Sequence, residues 1–562
     1  MHTPTKASFL PLVLLAAAAP FAAAQPVSLS NFSNFTPLAD SVPTVALPAN
    51  APFQFGNAGW TQRSIADRAA QLGLGQFNSG AWDMIDVNRT GPDAGRYVFS
   101  VFETLQAGVQ RTDRLTGATV TLWAASALAP APGSAVAFDP ALWTPWGTLL
   151  TAEEAWGPQP MPYGRLFELT NPLTATGTTG ADAGNLVQRN AVARVRHEGL
   201  AFDNANNLYY VDEFDRGSIY RYSSATPASG ATYFNGGTNA VLRVGDGAAP
   251  GAAGQATWVN FTNAGGTALP GAVTVTDPAL LQAVDGRATT AAAAASAPAN
   301  PYQGSAFNRP EDIQIQTLKN GEQVLYVAAT GSHEVFSINL KTNKVQSFAS
   351  QATMDVATGK AVGDGFLSPD NLAVDADGNI YIVEDRADGK SAIWFATDAD
   401  RDGVAESLSR WATLSTVGGE PTGLFFDPTN PNRAYVNVMF QGGNDRLIEI
   451  NAAVPEPSSV VLMVAGLAVL FAPRLMLRRR TPRSVRSCAA CMAASVVSAM
   501  SKVSHQLCMA FRACCAVRLA LLVSTRCNSP RTCTGMTTSP GASRAISSLA
   551  RWQRSASPHP SA

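Results

Sequence analysis

One phrase recurs along this chain with variations. It reads HEGLAFDNANNLYYVDE at 197–213 and SPDNLAVDADGNIYIVEDR at 368–386. Looser copies are RPEDIQIQTLKNGEQVLYVAAT at 309–330 and GEPTGLFFDPTNPNRAYVNV at 419–438. Each copy opens with an acidic residue: Glu198, Glu311, Asp370 and Glu420. A short alternating apolar run follows, then a turn rich in Asp, Asn and Gly, then a second apolar run. In two copies that second run ends on a carboxylate pair, Asp212-Glu213 and Glu384-Asp385.

Each phrase has the chemistry of a β-hairpin. Leu372 and Val374 alternate with small or polar neighbours, the period-2 signal of a strand. Asp377-Gly378-Asn379 supplies residues that tolerate a tight turn. Ile380-Tyr381-Ile382-Val383 is a β-branched and aromatic return strand. One hairpin cannot bury its own faces, so repeated hairpins imply stacked or radial copies.

The spacing favours a radial array. Earlier copies are YVFSVFET, with Glu103, and WGTLLTAEE, with Glu153 and Glu154. From Glu103 the acidic positions advance by 50, 45, 113, 59 and 50 residues, to Glu153, Glu198, Glu311, Asp370 and Glu420. A four-stranded propeller blade takes about 40–50 residues. The expectation is an all-β propeller of six or seven blades, with an extra blade and an insertion in the long gap. Low-complexity sequence near 247–305 reads as a loop with a short helix. Innermost propeller strands surround a central channel, so carboxylates at matching positions converge there and line it for a metal or a substrate.

Composition separates the body from its ends. Residues 1–24 combine Lys6, the apolar run FLPLVLLAAAAPFAAA and small residues before Gln25, which reads as a signal peptide for Sec-type export. The body, 25–453, carries the acidic charge. All 41 acidic residues fall at or before Glu456, and residues 25–456 hold 25 bases against them, a formal charge of −16. Such a surface argues against nucleic acid as a partner and suits hard divalent cations. All seven cysteines fall between Cys488 and Cys533, so the body has no disulfides and relies on packing and metals. Residues 481–562 contain no Asp or Glu, and their cysteines match no zinc-site spacing. This basic, Cys- and Ser-rich tail reads as disordered or as read-through.

Two resemblances follow from quoted motifs. VPEPSSVVLMVAGLAVLFAPRLMLRRR at 454–480 joins Pro-Glu-Pro, a short apolar run and an arginine cluster, and resembles the PEP-CTERM sorting signal. That resemblance implies an exosortase-type processing enzyme, transient membrane anchoring, and delivery to the cell surface or matrix of a Gram-negative bacterium. A plain anchor is the other reading. The second concerns the body. PWGTLLTAEE, YGRLFEL, HEGLAFD with LYYVDE, FNRPEDI, PDNLAVDADGNIYIVED, and EPTGLFFDP with YVNV run in an order similar to PhoX-type alkaline phosphatases, over roughly 95–450.

The PhoX resemblance implies a propeller whose central pocket holds iron and calcium and hydrolyses phosphate monoesters. By motif, Glu198 and Glu384 correspond to metal-bridging or iron-ligating carboxylates. Glu153, Glu154, Glu311, Asp370 and Glu420 correspond to further ligands or their supports, while Arg309 suits either a phosphate contact or an outward salt bridge. The family carries a cysteine where this chain has Ala152, and a twin-arginine signal that this chain lacks. Calcium is therefore expected in preference to iron.

Asp398, Asp400 and Asp402 with Gly403 begin like a calcium loop, and Glu406 stands at its ninth position. His197 beside Glu198 suits either an acid–base role or a structural one. Two other functions stay open: a non-catalytic calcium-stabilised propeller binding matrix polysaccharide, and a calcium-dependent lactonase.

Overall fold

The computed structural model describes residues 30–453, apart from 44, 46, 126–133, 157–162, 278, 295–299 and 441–442. The signal peptide, sorting segment and basic tail expected at 1–24, 454–480 and 481–562 lie outside these residues.

Six four-stranded antiparallel blades form the body, each starting with its innermost strand. These inner strands are Trp82–Val87, Phe138–Trp143, His197–Phe202, Pro310–Thr317, Pro369–Val374 and Glu420–Phe426. Each packs against the next, and the sixth packs against the first, so the ring closes. Closure borrows from the N-terminus. The last blade takes Glu420–Phe426, Arg433–Met439 and Arg446–Asn451 from the C-terminal end, and its outer strand is Thr61–Asp67. Pairing the two ends of the body completes the sixth blade and ties the ring shut.

The alternation seen in the sequence builds the core. Strand residues pointing out of one sheet meet those of the next, giving six apolar clusters, one between each pair of adjacent blades. The largest aromatic group lies between blades five and six. There Phe32 meets Trp60, Trp411 and Phe426 edge-on at 5.3–5.8 Å. The hairpin turns repeat too. Asp203, Asp375 and Asp427 each accept backbone N–H bonds within their turn, and each receives the hydroxyl of a return-strand tyrosine: Tyr209, Tyr381 and Tyr435. These aspartates are turn anchors.

Among the described residues the blades number six, and the long gap before Glu311 holds no extra blade. It is not a simple loop either. It contains Gly254–Asn260, Val273–Thr276, Gln282–Asp285 and the helix Ala291–Ala294. Gly254–Asn260 extends blade three and pairs with the outer strand of blade four, tying two blades together at the rim. A sequence dominated by Gly, Ala and Thr hides these strands because it carries little apolar alternation.

Candidate metal centre

The repeat places charge by one shared device. In every blade the register between the first and second strands slips by one residue near the start of the inner strand. The two residues in each bulge are Asp83-Met84, Asp139-Pro140, Glu198-Gly199, Glu311-Asp312, Asp370-Asn371 and Gly423-Leu424. A bulge bends the strand and re-aims a side chain. Here it gives five blades a carboxylate at the same position, and the sixth a glycine.

Close packing accompanies the bulge. Asp312 Oδ2 accepts the Leu372 N–H at 2.9 Å, and Asn371 Oδ1 accepts the Gly423 N–H at 2.7 Å, stitching neighbouring inner strands. Gly423 has φ +61°, and a Cβ there would meet Ile85 N at 2.7 Å. Blade six therefore cannot present a side chain at this position. It contributes Glu420 from three residues earlier instead.

A second layer comes from the residue that follows the second strand: Glu103, Glu154, Glu213 and Asp385, with Thr330 in blade four. Their backbone N–H groups all bond to the carbonyl just before the inner strand, at Ala81, Ala137, Arg196, Ser368 and Arg309 respectively. Four of these carbonyl residues, Ala81, Ala137, Arg309 and Ser368, have φ between 43° and 49°. Left-handed backbone is costly for a residue with a side chain, so its recurrence marks a constrained corner.

The two layers converge. Asp139, Glu154 and Glu198 bring carboxylate oxygens within 4.8 Å of one another, and Glu198, Glu311 and Asp370 form a second such group. Glu198 belongs to both. Burial is the main force raising the pKa values of these acids, and neighbouring carboxylates add to it. Asp139, Glu198, Glu311, Asp370 and Glu420 are pushed well above the carboxylate range. Asp83 and Glu103 rise to about 7, Glu154 and Glu213 to about 8. Positive charge enters from the rim. Arg196 bonds Glu154 at 2.7 Å and Glu213 at 2.6 Å. Arg309 pairs with Glu213 and with Glu311, and its side chain is 45% exposed.

The donor set suits hard cations. It consists of carboxylate oxygens, the ligands preferred by calcium. Asp139 Oδ1 is buried without a hydrogen-bond partner among the described residues, as an oxygen intended for an ion would be. A pit with this many buried acids needs either protons or cations to be stable.

Of the residues expected from sequence, the fold brings together Glu154, Glu198, Glu311, Asp370 and Glu420, with Arg309 at the rim. Glu153 and Glu384 have different partners. Glu153 ends its strand in an ion pair with Arg165 and accepts the N–H groups of Val136 and Arg165. Glu384 accepts those of Leu367 and Ala392. Both are fully buried and brace the loop that enters the inner strand. His197 is buried beside Tyr210, with rings 5.3 Å apart, and burial lowers its pKa to about 3. Ala152 is buried in the apolar cluster between blades two and three.

Asp83, Asp139, Glu213 and Asp385 were not expected at the site. A sequence signal for them exists. Asp139 to Glu154, Glu198 to Glu213 and Asp370 to Asp385 are each fifteen residues apart, linking the two layers within one hairpin. Reading Glu103 and Glu153 as openings of the phrase misplaced the first two blades by one strand.

The acidic loop of blade five stands apart, between that blade's outer two strands. Asp398, Asp400 and Glu406 bring oxygens within 4.8 Å, while Asp402 accepts the Val404 N–H.

The sequence family described as Alkaline phosphatase PhoX matches residues 143–442, more than half of the chain. Among solved structures, Pseudomonas fluorescens PhoX in complex with vanadate, a transition state analogue, is 15% identical. It covers 74% of this chain and 98% of its own, with a TM-score of 0.49. The PQQ-bound aldose sugar dehydrogenase of Streptomyces coelicolor is 12% identical, covering 72% and 99%, with a TM-score of 0.34. No curated protein sequence matches the chain.

Proposed function

Since the chain belongs to the PhoX alkaline phosphatase family, we propose that its acidic channel is the active site of a calcium-dependent phosphomonoesterase. The observation that carries this reading is the pair of carboxylate groups sharing Glu198. Asp139, Glu154, Glu198, Glu311 and Asp370 would hold the cations, with Glu103, Glu213, Asp385 and Glu420 around them. Bound there, the cations supply Lewis acidity and positive charge toward the phosphoryl oxygens.

The chain's own groups do the rest. Arg196 and Arg309 are the cations at the mouth, each held on Glu213. Their guanidinium forks suit phosphate oxygens, so they orient the ester as it enters. Fixed carboxylates keep the pit pre-organised, so no reorientation is needed during the reaction. The candidate ligands are all carboxylate oxygens, a donor set that favours calcium over iron. Asp398, Asp400 and Glu406 are proposed to take a further, structural calcium. Export by the Sec route, exosortase processing near Pro455 and residence at the cell surface or matrix are proposed from the terminal segments.

Hydrolysis of p-nitrophenyl phosphate tests the reading. Protein stripped by chelator should be inactive and regain activity with calcium. Absence of turnover with calcium, iron and both supplied would reject it.

A further inference from the structure

Beside the acidic pit lies a stack of three side chains that the apolar cores do not use. Phe214 directly follows Glu213 and is 49% exposed. Trp156 lies two residues beyond Glu154. Between their rings sits Arg287, from the insertion after blade three. Its guanidinium carbon is 4.7 Å from the Trp156 ring centre and 4.2 Å from that of Phe214. None of the three belongs to any apolar cluster between blades.

The stack is held in place from below. Arg287 Nε lies 3.5 Å from Asp212 Oδ2. Trp156 packs on Gly164, where a Cβ would meet the indole at 3.0 Å. Arg287 Nη1 is buried and has no hydrogen-bond partner among the described residues. A buried guanidinium N–H without an acceptor is costly unless something supplies one. The half-exposed phenyl ring offers a flat apolar surface next to that donor.

We propose that Trp156, Arg287 and Phe214 form the subsite for the organic part of the phosphomonoester, and that it selects planar aromatic groups, nucleobase or aryl. The proposal rests on the phosphatase reading. With the phosphate among the carboxylates of Glu154 and Glu213, the ester's organic group leaves the pit past the residues that immediately follow them. A flat ring stacks on Phe214, whose other face is already backed by a cation. Sugars and alkyl chains have no π face and gain less from contact with the ring.

Adenosine 5′-monophosphate and ribose 5-phosphate separate the possibilities, because they share the same leaving oxygen and differ in the base. With the full calcium-loaded chain, kcat/KM should favour the nucleotide roughly tenfold, the scale of one base stacked on an aromatic ring. Phe214→Ala should bring the ratio near one, chiefly through a higher KM for the nucleotide, and Phe214→Tyr should keep the preference. An unchanged ratio in Phe214→Ala overturns the proposal. Calorimetric binding of the two compounds gives the same answer without turnover. A roughly tenfold difference in affinity that Phe214→Ala removes supports the stack, even if neither ester is hydrolysed, a result that would sink only the phosphatase reading. Equal affinities in the wild type overturn the stack.

Discussion

Glu198 and Glu153 are both buried glutamates from the repeated hairpins, yet their surroundings assign them opposite work. Glu198 shares its oxygens between two carboxylate groups, and the charges that weigh most on it are those of other acids, which is an arrangement for cations. Glu153 is matched by Arg165 and two backbone N–H groups. Glu198→Gln should lower phosphatase activity by about a hundredfold or more, since even the partners of metal ligands typically account for 10- to 100-fold. Its melting temperature without metal should rise, because one unit of buried repulsion disappears. Glu153→Gln should behave the other way. It removes the carboxylate charge that faces the buried Arg165, a loss of about 3–5 kcal/mol, with calcium affinity little changed. Activity and melting curves of the two variants check this contrast. The sequence marks both residues equally, since side-chain direction after a bulge depends on register.

At the level of the hairpin, the corner before each inner strand is the constrained element. Ala81 has φ +47°, and its carbonyl receives the Glu103 N–H at 2.9 Å. A β-branched side chain is poorly tolerated in this conformation, so Ala81→Val should destabilise by about 2 kcal/mol. Ala81→Gly should cost little or nothing, because glycine adopts positive φ freely. Denaturant unfolding of both variants measures the difference, and equal losses would show that the corner is not strained. The hairpins themselves were legible: alternation at Leu372 and Val374 and the turn at Asp377–Asn379 describe the element that is present. So was convergence of Glu198, Glu311 and Asp370, because they share a place in the phrase. Asp83 and Asp139 were hidden because the first two phrases are degenerate and only their second strands stood out. Glu420 was aligned with the others, whereas Gly423 holds the equivalent place. That shift follows from a contact between blades, which local sequence does not record.

For the whole molecule, a ring closed by strands from both ends of the body holds a pit of like charge that the fold alone does not neutralise. Glu103 has its pKa pushed up to about 7, Glu154 and Glu213 to about 8, by burial and by one another. Their folded values lie above the unfolded ones, so the folded chain keeps protons that the unfolded chain has released. This contribution to stability is complete below about 4.5 and is lost as pH rises through 7 to 8. Metal-free protein should therefore melt at progressively lower temperature between pH 5 and 8, on the order of the pKa window just given. Calcium binds the ionised form and should flatten or reverse that trend. At a hundredfold excess over Kd it adds about 2.7 kcal/mol. Melting scans with calcium and with chelator across this range would expose an account in which the carboxylates are merely structural, since the curves would then coincide. The most direct test of the central claim is metal content. Purified protein equilibrated with calcium and freed of unbound ions should retain more than one ion per chain, and Glu198→Gln should retain fewer. A wild-type chain that retains none, or a Glu198→Gln variant that retains as many as wild type, would contradict a cation centre built on the bulge carboxylates.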